Sequence, residues 1–316
     1  MTGLVVLLDQ WSDVDEVERA CAGLDVVVER HEAVPSGPTV VGLVAGPDFA
    51  VGPQEIGALP GLRVVATPST GFDHLDLDAL SAAGVWATNV SGYCDDEVAD
   101  HAIAMAIDLL RGVTLLDRSV RAGEWDYAVA FPRRIARATL GVVGFGRIGR
   151  VVAGRGRALG MRVVAHDTFV SDEAIRQTGS VPCSSLHELL AAADVVTLHA
   201  ALTDATRGLI DTAALAAMRP GSFLVNCSRA GLVDVAALGA ALVSGHLAGC
   251  ALDVLPVEPP VPGEPALTWP RTIINPHAAW ASDESIRLPY MFAAANVAAV
   301  LRGREPERDV IAGPGR

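Results

Sequence analysis

Residues 140–149 are Leu140-Gly141-Val142-Val143-Gly144-Phe145-Gly146-Arg147-Ile148-Gly149, an apolar run followed by three glycines in the spacing G-x-G-x-x-G. The apolar run predicts a buried strand, and the glycines predict a tight turn that opens into a helix. Glycines at these positions permit the turn, admit a pyrophosphate to the backbone and let the helix pack closely on the strand. The helix N-terminus would present its amide groups to the anion. The stretch therefore favours a dinucleotide site whose expected contacts are Gly144, Gly146, Arg147, Ile148 and Gly149.

A second predicted strand, residues 161–167, ends in an acid. Asp167 lies eighteen residues after Gly149, where a carboxylate can bind the ribose hydroxyls of a dinucleotide. Thr168 follows it, and the arginine expected for the 2′-phosphate of NADP is missing nearby. NAD is therefore the expected cofactor, with Arg147 on the pyrophosphate rather than on a 2′-phosphate.

Composition excludes several classes of partner and reaction. The 316 residues carry a formal net charge of −13, which argues against a nucleic acid or an anionic membrane as partner. All 24 basic residues are arginine, so a Schiff-base lysine and a P-loop lysine are excluded. No apolar stretch approaches the length that a bilayer requires.

The N-terminus and the cysteines bear on the compartment. Residues 4–8 predict a first strand rather than part of a signal peptide, because no basic segment precedes them and Asp9 interrupts the apolar run. The five cysteines are irregularly spaced and form no C-x-x-C pair, which favours free thiols over disulfides or zinc ligands. A cytoplasmic protein without a metal site is expected.

Short apolar strands alternate with helical patterns, which predicts parallel sheets covered by helices. Further strands are predicted at 4–8, 26–28, 40–44, 63–67, 86–89, 194–199, 222–226, 249–253 and 272–274. Helices are predicted at 13–22, 54–59, 97–111, 186–192, 211–218, 235–244 and 285–301, with another beginning after Asp76. The last helix is expected to return the chain to the first domain. The expected α/β fold is a Rossmann-type doubly wound parallel sheet domain, residues 95–287, inserted into a smaller flavodoxin-like substrate domain, residues 1–94 and 288–316.

Three polar residues lie at predicted strand ends of the doubly wound sheet, where such sheets bind ligands. Arg229, Glu258 and His277 each follow a predicted strand by three to five residues. They suit hydride exchange between a nicotinamide and a 2-oxo acid. The arginine would bind the carboxylate and polarise the ketone, the histidine would transfer the proton, and the glutamate would orient the histidine and raise its pKa. Asp253 is expected to bind the nicotinamide amide.

Each of these residues also has an ordinary structural explanation. Arg229 could bind carbonyls at a helix C-terminus, and Glu258 could be a solvated loop charge. His277 follows a proline and could cap its own loop. Only their joint placement at the ends of strands in one nucleotide-binding sheet favours catalysis.

From Ser69 to Leu301 the chain resembles the D-isomer-specific 2-hydroxyacid dehydrogenase family. The similar segments, in the order of the family, are STGFDHLDLDAL, NVSGYCDDEVADHAIAM, TLGVVGFGRIGR, VVTLHAALTDATRGLI, FLVNCSRAGLVD, ALDVLPVEP and NPHAAWAS. Within the family the chain looks most like the C-terminal-binding-protein branch, some members of which serve as NAD-sensing corepressors.

The resemblance implies an NAD(P)-dependent homodimer with a discontinuous substrate domain, and it gives the catalytic roles to Arg229, Glu258 and His277. Arg229 would also bind substrate. The loop Ser69-Thr70-Gly71 would bind the substrate carboxylate through main-chain amides. Trp280 would wall the pocket for the substrate side chain, with ordinary packing at a helix entry as the alternative. Further cofactor contacts implied are Ala200, Thr206, Cys227 and Ser228, the last two through the main chain rather than as nucleophiles.

We therefore expect an NAD-dependent oxidoreductase that acts on the CH–OH group of a small 2-hydroxy acid or reduces the 2-oxo acid. Hydride would pass between the nicotinamide and C2 of the substrate. The alternative is a corepressor-like interaction protein that senses NAD(H) and has only incidental dehydrogenase activity. Oxidation of NADH by 2-oxo acids distinguishes the two.

Overall fold

The computed structural model describes residues 2–8, 13–307 and 309–314, and the elements below lie within these ranges. The strands are β1 (Gly3–Leu8), β2 (Val26–Arg30), β3 (Val40–Ala45), β4 (Val64–Ala66), β5 (Trp86–Thr88), β6 (Thr139–Val143), β7 (Arg162–His166), β8 (Val181–Pro182), β9 (Val195–Leu198), β10 (Phe223–Asn226), β11 (Gly249–Leu252), β12 (Thr272–Ile274) and β13 (Val310–Ala312). The α-helices are α1 (Val14–Ala20), α2 (Pro53–Gly57), α3 (Leu77–Ala82), α4 (Asp95–Arg111), α5 (Val113–Arg121), α6 (Arg147–Ala158), α7 (Asp172–Gln177), α8 (Leu186–Ala192), α9 (Thr212–Ala217), α10 (Val235–Val243) and α11 (Leu288–Leu301).

The first of two compact units combines residues 1–94 with 282–316. Its sheet has the order β13-β5-β4-β3-β1-β2. The strands β1 to β5 are parallel and follow the flavodoxin-like order 2-1-3-4-5. β13 adds an antiparallel edge strand beside β5. α11 supplies Ala293, Ala294 and Val297 to the core on one face of this sheet, so both ends of the chain build one hydrophobic core.

The second unit, residues 95–281, contains a seven-stranded sheet in the order β12-β11-β10-β9-β6-β7-β8. All its paired strands are parallel. The order reverses at β6, which lies between β7 and β9, as in the Rossmann arrangement with one added strand. Ligands bind such sheets beyond the carboxyl ends of the strands at this reversal.

Helices bury both faces of the second sheet. One face carries Leu140, Val142 and Val225 against the helices α4 and α6, and the other carries Val143 and Leu224 against α8, α9 and α10. Burial on both faces explains why these strands are continuous apolar runs rather than alternating patterns. The glycine stretch and the strand ends that follow therefore rest on a rigid core.

The segment 282–287 differs from its predicted place. It was expected in the second domain and partly in the last helix, but it groups with the first unit, and α11 begins at Leu288. Ser282 and Ser285 each accept a hydrogen bond from the other's backbone amide, at 2.9 and 2.7 Å, and so form a turn. Such reciprocal bonding is the capping-box arrangement found at helix N-termini, so the turn leads toward α11, which itself begins at Leu288.

Four elements were not predicted from the sequence: α5, α7, β8 and β13. The apolar side chains Val113 and Val120 of α5 are 60% and 47% exposed, so they make no buried stripe. β8 and β13 have only two and three residues, and β13 pairs with a strand more than two hundred positions away. Local patterns cannot identify strands that exist only through such pairing.

The three glycines of the loop after β6 meet different surroundings. Gly144 has φ +88°, and a β-carbon there would lie 2.6 Å from the amide nitrogen of Ala200. A β-carbon at Gly149 would overlap the carbonyl oxygen of Gly144, whereas one at Gly146 would meet no atom within 4 Å. The first and third glycines thus serve the turn and the packing, and open space lies only beside the second.

This difference predicts that the same substitution destabilises the fold at one glycine and not at the other. Gly149→Ser should lower the free energy of unfolding by about 1–3 kcal/mol, because the new side chain overlaps backbone that cannot move aside. Gly146→Ser should leave it nearly unchanged, since serine suits a helix N-cap and the space is open. Urea unfolding of both variants measures the difference, and equal losses would contradict the packing role of Gly149.

Candidate active site

The loop after β6 has the features that bind a dinucleotide phosphate. Gly146 is the N-cap of the twelve-residue helix α6, whose first-turn amides have no carbonyl partner within the helix. Open space beside Gly146 leaves room for an anion at this helix terminus. Arg147 is 64% exposed and its Nε lies 2.7 Å from Asp95 Oδ2, so its contact with pyrophosphate stays a prediction.

Asp167 lies directly after β7 and ties that strand to the glycine loop. Its Oδ2 accepts a hydrogen bond of 2.6 Å from the amide of Phe145. Its Oδ1 accepts from the amides of Phe169 and Val170 at 2.7 and 3.0 Å. Among the ion pairs of the described residues, none involves Asp167. The carboxylate is therefore fixed in orientation beside the loop, and its contact with a ribose stays a prediction.

Two further loops meet near this edge of the sheet. The Ser228 hydroxyl, after β10, donates a hydrogen bond of 2.6 Å to the carbonyl of Ala200, after β9. Thr206 uses its hydroxyl within its own loop, donating to Ala201 O at 2.7 Å and accepting from the Thr203 amide at 2.8 Å. Both hydroxyls thus shape loops, and contacts of Ala200, Thr206 and Ser228 with a cofactor remain predictions.

Two titratable groups beside these loops are held neutral. Burial lowers the pKa of His199 to about 4. Burial, with the nearby Asp253 charge, raises the pKa of the Cys227 thiol far above its ordinary value. The Cys227 sulfur lies 3.7 Å from that of Met105. Neither residue can supply a proton or a thiolate near neutral pH, which agrees with the expectation that Cys227 is not a nucleophile.

Glu258 and His277 form the central hydrogen bond of the site. His277 Nδ1 lies 2.7 Å from Glu258 Oε2, and Glu258 Oε1 accepts a hydrogen bond of 2.7 Å from the Leu255 amide. Because an ionised carboxylate only accepts, Nδ1 carries the proton and Nε2 is left for another partner. The side chain of His277 is 37% exposed and that of Glu258 is 33% exposed, so the pair is accessible to a small molecule.

Arg229 contributes charge at the same strand ends. Burial alone would raise the pKa of Glu258, but hydrogen bonds from His277 and Leu255 and the charges of His277 and Arg229 lower it below its ordinary value. Asn226, almost fully buried at the end of β10, donates through Nδ2 to the Arg229 carbonyl at 2.9 Å. The sequence reasoning missed this asparagine, although a buried polar residue closing an apolar strand was a visible signal.

The backbone of His277 is held in an uncommon conformation. Its φ is +51°, in the left-handed region that costs energy for a residue other than glycine. The His277 amide donates to the Asp253 carbonyl at 2.8 Å. The Asp253 carboxylate, 1% exposed, accepts from the amides of Ala278 and Ala279, both at 2.9 Å. Asp253 therefore anchors the histidine loop, a role that the sequence did not indicate, and its contact with nicotinamide stays a prediction.

The expected substrate residues lie in both units. Trp280 is partly buried in the second unit, three residues after His277, and its contact with the substrate side chain stays a prediction. In the first unit, the Ser69 hydroxyl donates to the Gly71 carbonyl at 2.6 Å and the Thr70 hydroxyl to the Val90 carbonyl at 3.0 Å. Within the described part of the chain, the amides of Thr70 and Gly71 donate no hydrogen bond. They can therefore bind an anion.

Metal ligands and membrane spans are absent from the described residues. Over residues 2–8, 13–307 and 309–314, no group of three or more histidine, cysteine or acidic side chains is arranged to hold a metal ion. No helix in the same ranges is long and apolar enough to cross a bilayer.

The chain matches a known family model. The model for the NAD-binding domain of D-isomer-specific 2-hydroxyacid dehydrogenases covers residues 103–279, more than half of the 316 residues. This match lies within the second unit and includes the glycine loop, Asp167, Arg229 and His277.

Curated relatives and a solved structure agree with this match. Glyoxylate reductase of Korarchaeum cryptofilum is 34% identical over 303 residues, covering 95% of this chain and 88% of that protein. D-3-phosphoglycerate dehydrogenase of Archaeoglobus fulgidus is 34% identical over 83% of this chain, which spans only 50% of that protein's length. D-lactate dehydrogenase of Aquifex aeolicus, solved with NAD and lactic acid, superposes with a TM-score of 0.90 at 27% identity, covering 99% and 100% of the two chains.

These comparisons confirm the α/β Rossmann-type fold class, NAD as the cofactor and the class of NAD-dependent oxidoreductases acting on 2-hydroxyacids. Resemblance to the corepressor branch is a finer distinction that they do not address. The chain belongs to the family of D-isomer-specific 2-hydroxyacid dehydrogenases.

Proposed function

We propose that this chain reduces a small 2-oxo acid to the 2-hydroxy acid with NADH, and catalyses the reverse oxidation with NAD. The main observation that supports this proposal is the 2.7 Å hydrogen bond between His277 Nδ1 and Glu258. It leaves Nε2 as the atom that exchanges a proton with substrate. Arg229 acts on the same pair through its charge, which supports a common site for the three side chains.

The cofactor residues divide by chemical task. The amides at the start of α6 and the open space at Gly146 suit the pyrophosphate, and the Asp167 carboxylate suits the ribose hydroxyls. NADH supplies the hydride that reduces C2 of the substrate. Arg147, Ala200, Thr206, Cys227, Ser228 and Asp253 are proposed to complete the binding surface.

The protein's own groups handle charge and protons. The Arg229 guanidinium binds the substrate carboxylate and polarises the ketone oxygen. His277 Nε2 donates a proton to the oxygen at C2 during reduction and removes it during oxidation. Glu258 keeps the imidazole in the tautomer and orientation that this transfer requires, since its own ionised form is favoured by its surroundings.

We propose that the loop Ser69-Thr70-Gly71 and the side chain of Trp280 take part in substrate recognition. Main-chain amides of Thr70 and Gly71 are available as donors for the carboxylate, because the side chains and carbonyls of Ser69, Thr70 and Gly71 are engaged within the first unit. Trp280 is proposed to contact the substrate side chain. The acids named for relatives range in size from glyoxylate and lactic acid to 3-phosphoglycerate, and this range is the expected size range of the substrate.

A homodimer and a cytoplasmic location complete the proposal. Large apolar side chains are exposed on the segment around α5, defined by Val113, Trp125, Tyr127 and Phe131, with Trp125 91% and Tyr127 78% exposed. Such a cluster supports contact with a second copy of the chain. All five cysteines are free thiols, which suits a reducing compartment.

Replacing the histidine tests the proposed chemistry. His277→Ala should lower kcat for NADH-dependent reduction by about 10²–10⁴-fold, because the variant lacks the proposed proton donor. The dissociation constant for NADH should stay within about twofold, since the glycine loop is untouched. His187→Ala, on the exposed surface of α8, is the matched control and should keep wild-type turnover. Wild-type kcat in His277→Ala would overturn the assignment, and a wild-type chain without turnover on any 2-oxo acid would favour the sensing protein.

The lowered pKa of Glu258 gives a pH prediction. Its carboxylate is ionised above its ordinary pKa, and the pair with His277 is lost only as pH falls through the lowered folded value. Glu258→Gln keeps the shape of the side chain but has no carboxyl group to ionise. As pH falls through the lowered pKa of Glu258, wild type should therefore lose the folding stability that the ionised carboxylate contributes, whereas the variant should lack this loss. Urea unfolding of both chains between about pH 3 and pH 7 measures the difference, and an equal pH dependence of the two would contradict it.

Exposed aromatic residues predict the oligomeric state. Wild-type chain should elute with twice the mass of one chain, and Trp125→Glu combined with Phe131→Glu should convert it to a monomer. Phe169→Glu, at a phenylalanine that is 98% exposed outside this segment, is the matched control. Light scattering after gel filtration gives the masses, and a dimer that survives the double substitution would place the interface elsewhere.

A further inference from the structure

The C-terminal segment is bonded to the strand end that supports the proposed carboxylate loop. Asp309 precedes β13, and its carboxylate accepts hydrogen bonds from the Ser91 hydroxyl at 2.6 Å and the Ser91 amide at 3.3 Å. The Asp309 carbonyl accepts from the Asn89 amide at 3.1 Å. Asp309 thus accepts three hydrogen bonds from Asn89 and Ser91, which hold the segment 89–91 within the first unit.

Asn89 passes this constraint to the loop itself. The side chain of Asn89 is 8% exposed, and its Nδ2 donates to the Thr70 carbonyl at 2.7 Å. The Thr70 hydroxyl donates back to the Val90 carbonyl at 3.0 Å, and the Val90 amide donates to the Ser69 carbonyl at 2.9 Å. Three hydrogen bonds therefore connect residues 69–70 with residues 89–90. These bonds determine the direction of the Thr70 and Gly71 amides.

The backbone of Asp309 shows that this contact is specific. Its φ is +53°, an unusual conformation that aspartate tolerates better than most residues. This conformation brings carbonyl and carboxylate of one residue onto the same neighbouring segment. Both oxygens of the carboxylate are engaged by Ser91, which favours a geometric role for Asp309.

We infer that Asp309 is a positioning residue for substrate binding: through Ser91 and Asn89 it fixes the Ser69–Gly71 loop whose amides receive the carboxylate of the 2-oxo acid. This inference rests on the proposed function for its substrate, and on the hydrogen bonds above for its geometry. By this inference, Asp309, which lies beside the C-terminal edge strand β13 of the first sheet, affects KM for the substrate. It takes no part in hydride or proton transfer.

Asp309→Ala is the direct test. It should raise KM for the 2-oxo acid about tenfold, since charged and neutral hydrogen bonds that orient the loop are lost. kcat at saturation should change by less than about twofold, because binding is lost equally in ground and transition states. Asp309→Asn keeps one acceptor for the Ser91 hydroxyl and should restore part of the wild-type KM. Glu305→Ala, an exposed carboxylate of the same segment, is the matched control and should match wild type.

A second measurement does not depend on turnover. Hydrogen–deuterium exchange of peptides covering residues 86–91, whose amides at 89–91 donate the linking hydrogen bonds, should be faster in Asp309→Ala and in Ser91→Ala than in wild type or Glu305→Ala. The double variant should exchange no faster than Asp309→Ala alone, because both substitutions remove the same bond.

The outcomes separate the inference from the proposed function. Unchanged KM and unchanged exchange at 86–91 in Asp309→Ala overturn the inference. So does a variant in which KM rises while kcat, NADH affinity and the melting temperature all fall, which is general destabilisation. A wild-type chain that reduces no 2-oxo acid overturns the proposed function instead, and the exchange rates still decide the bonded link between Asp309 and the loop.

Discussion

The buried carboxylate of Asp253 is the contact on which the site depends. It and its own carbonyl bind three consecutive amides, those of His277, Ala278 and Ala279. Those bonds compensate for the left-handed backbone of His277, which would otherwise relax to a more common conformation. With the loop held in this way, Nδ1 of the imidazole forms a hydrogen bond with Glu258, and Nε2 is left for the proposed proton exchange with substrate. Asp253, which has no part in the proposed proton transfer, therefore holds the histidine loop in the conformation that the proposal requires.

Electrostatics in the second unit separate groups that can exchange protons from groups that cannot. His199 and Cys227 lie near the same strand ends, but burial keeps both neutral. Glu258 is partly exposed and bonded, so its ionised form is favoured, and Arg229 adds a positive charge nearby. His277, unlike His199, has an ionised carboxylate within hydrogen-bond distance of its ring. The partner of each histidine therefore distinguishes the two.

Much of the fold and part of the site could be predicted from the sequence. Buried parallel strands and the glycine loop were located within one or two residues, because each is a local pattern of apolar residues and glycines. Arg229, Glu258 and His277 could be named because parallel strands deliver their ends to one edge. The anchoring roles of Asp253, Asn226 and Asp309 could not be named, since each depends on which backbone amide or carbonyl lies opposite in space.

The amino-acid sequence by itself determined the doubly wound α/β class, the position of the glycine loop and the chemical types available to the site. These follow from spacing, hydrophobicity and the special backbone freedom of glycine, all of which act over a few neighbouring residues. Only the tertiary structure decided which polar groups support others, as Asp253 does for His277 and Asp309 for the segment 89–91. Hydrogen bonds between residues distant in sequence form only after the sheets have assembled, so no local pattern contains them.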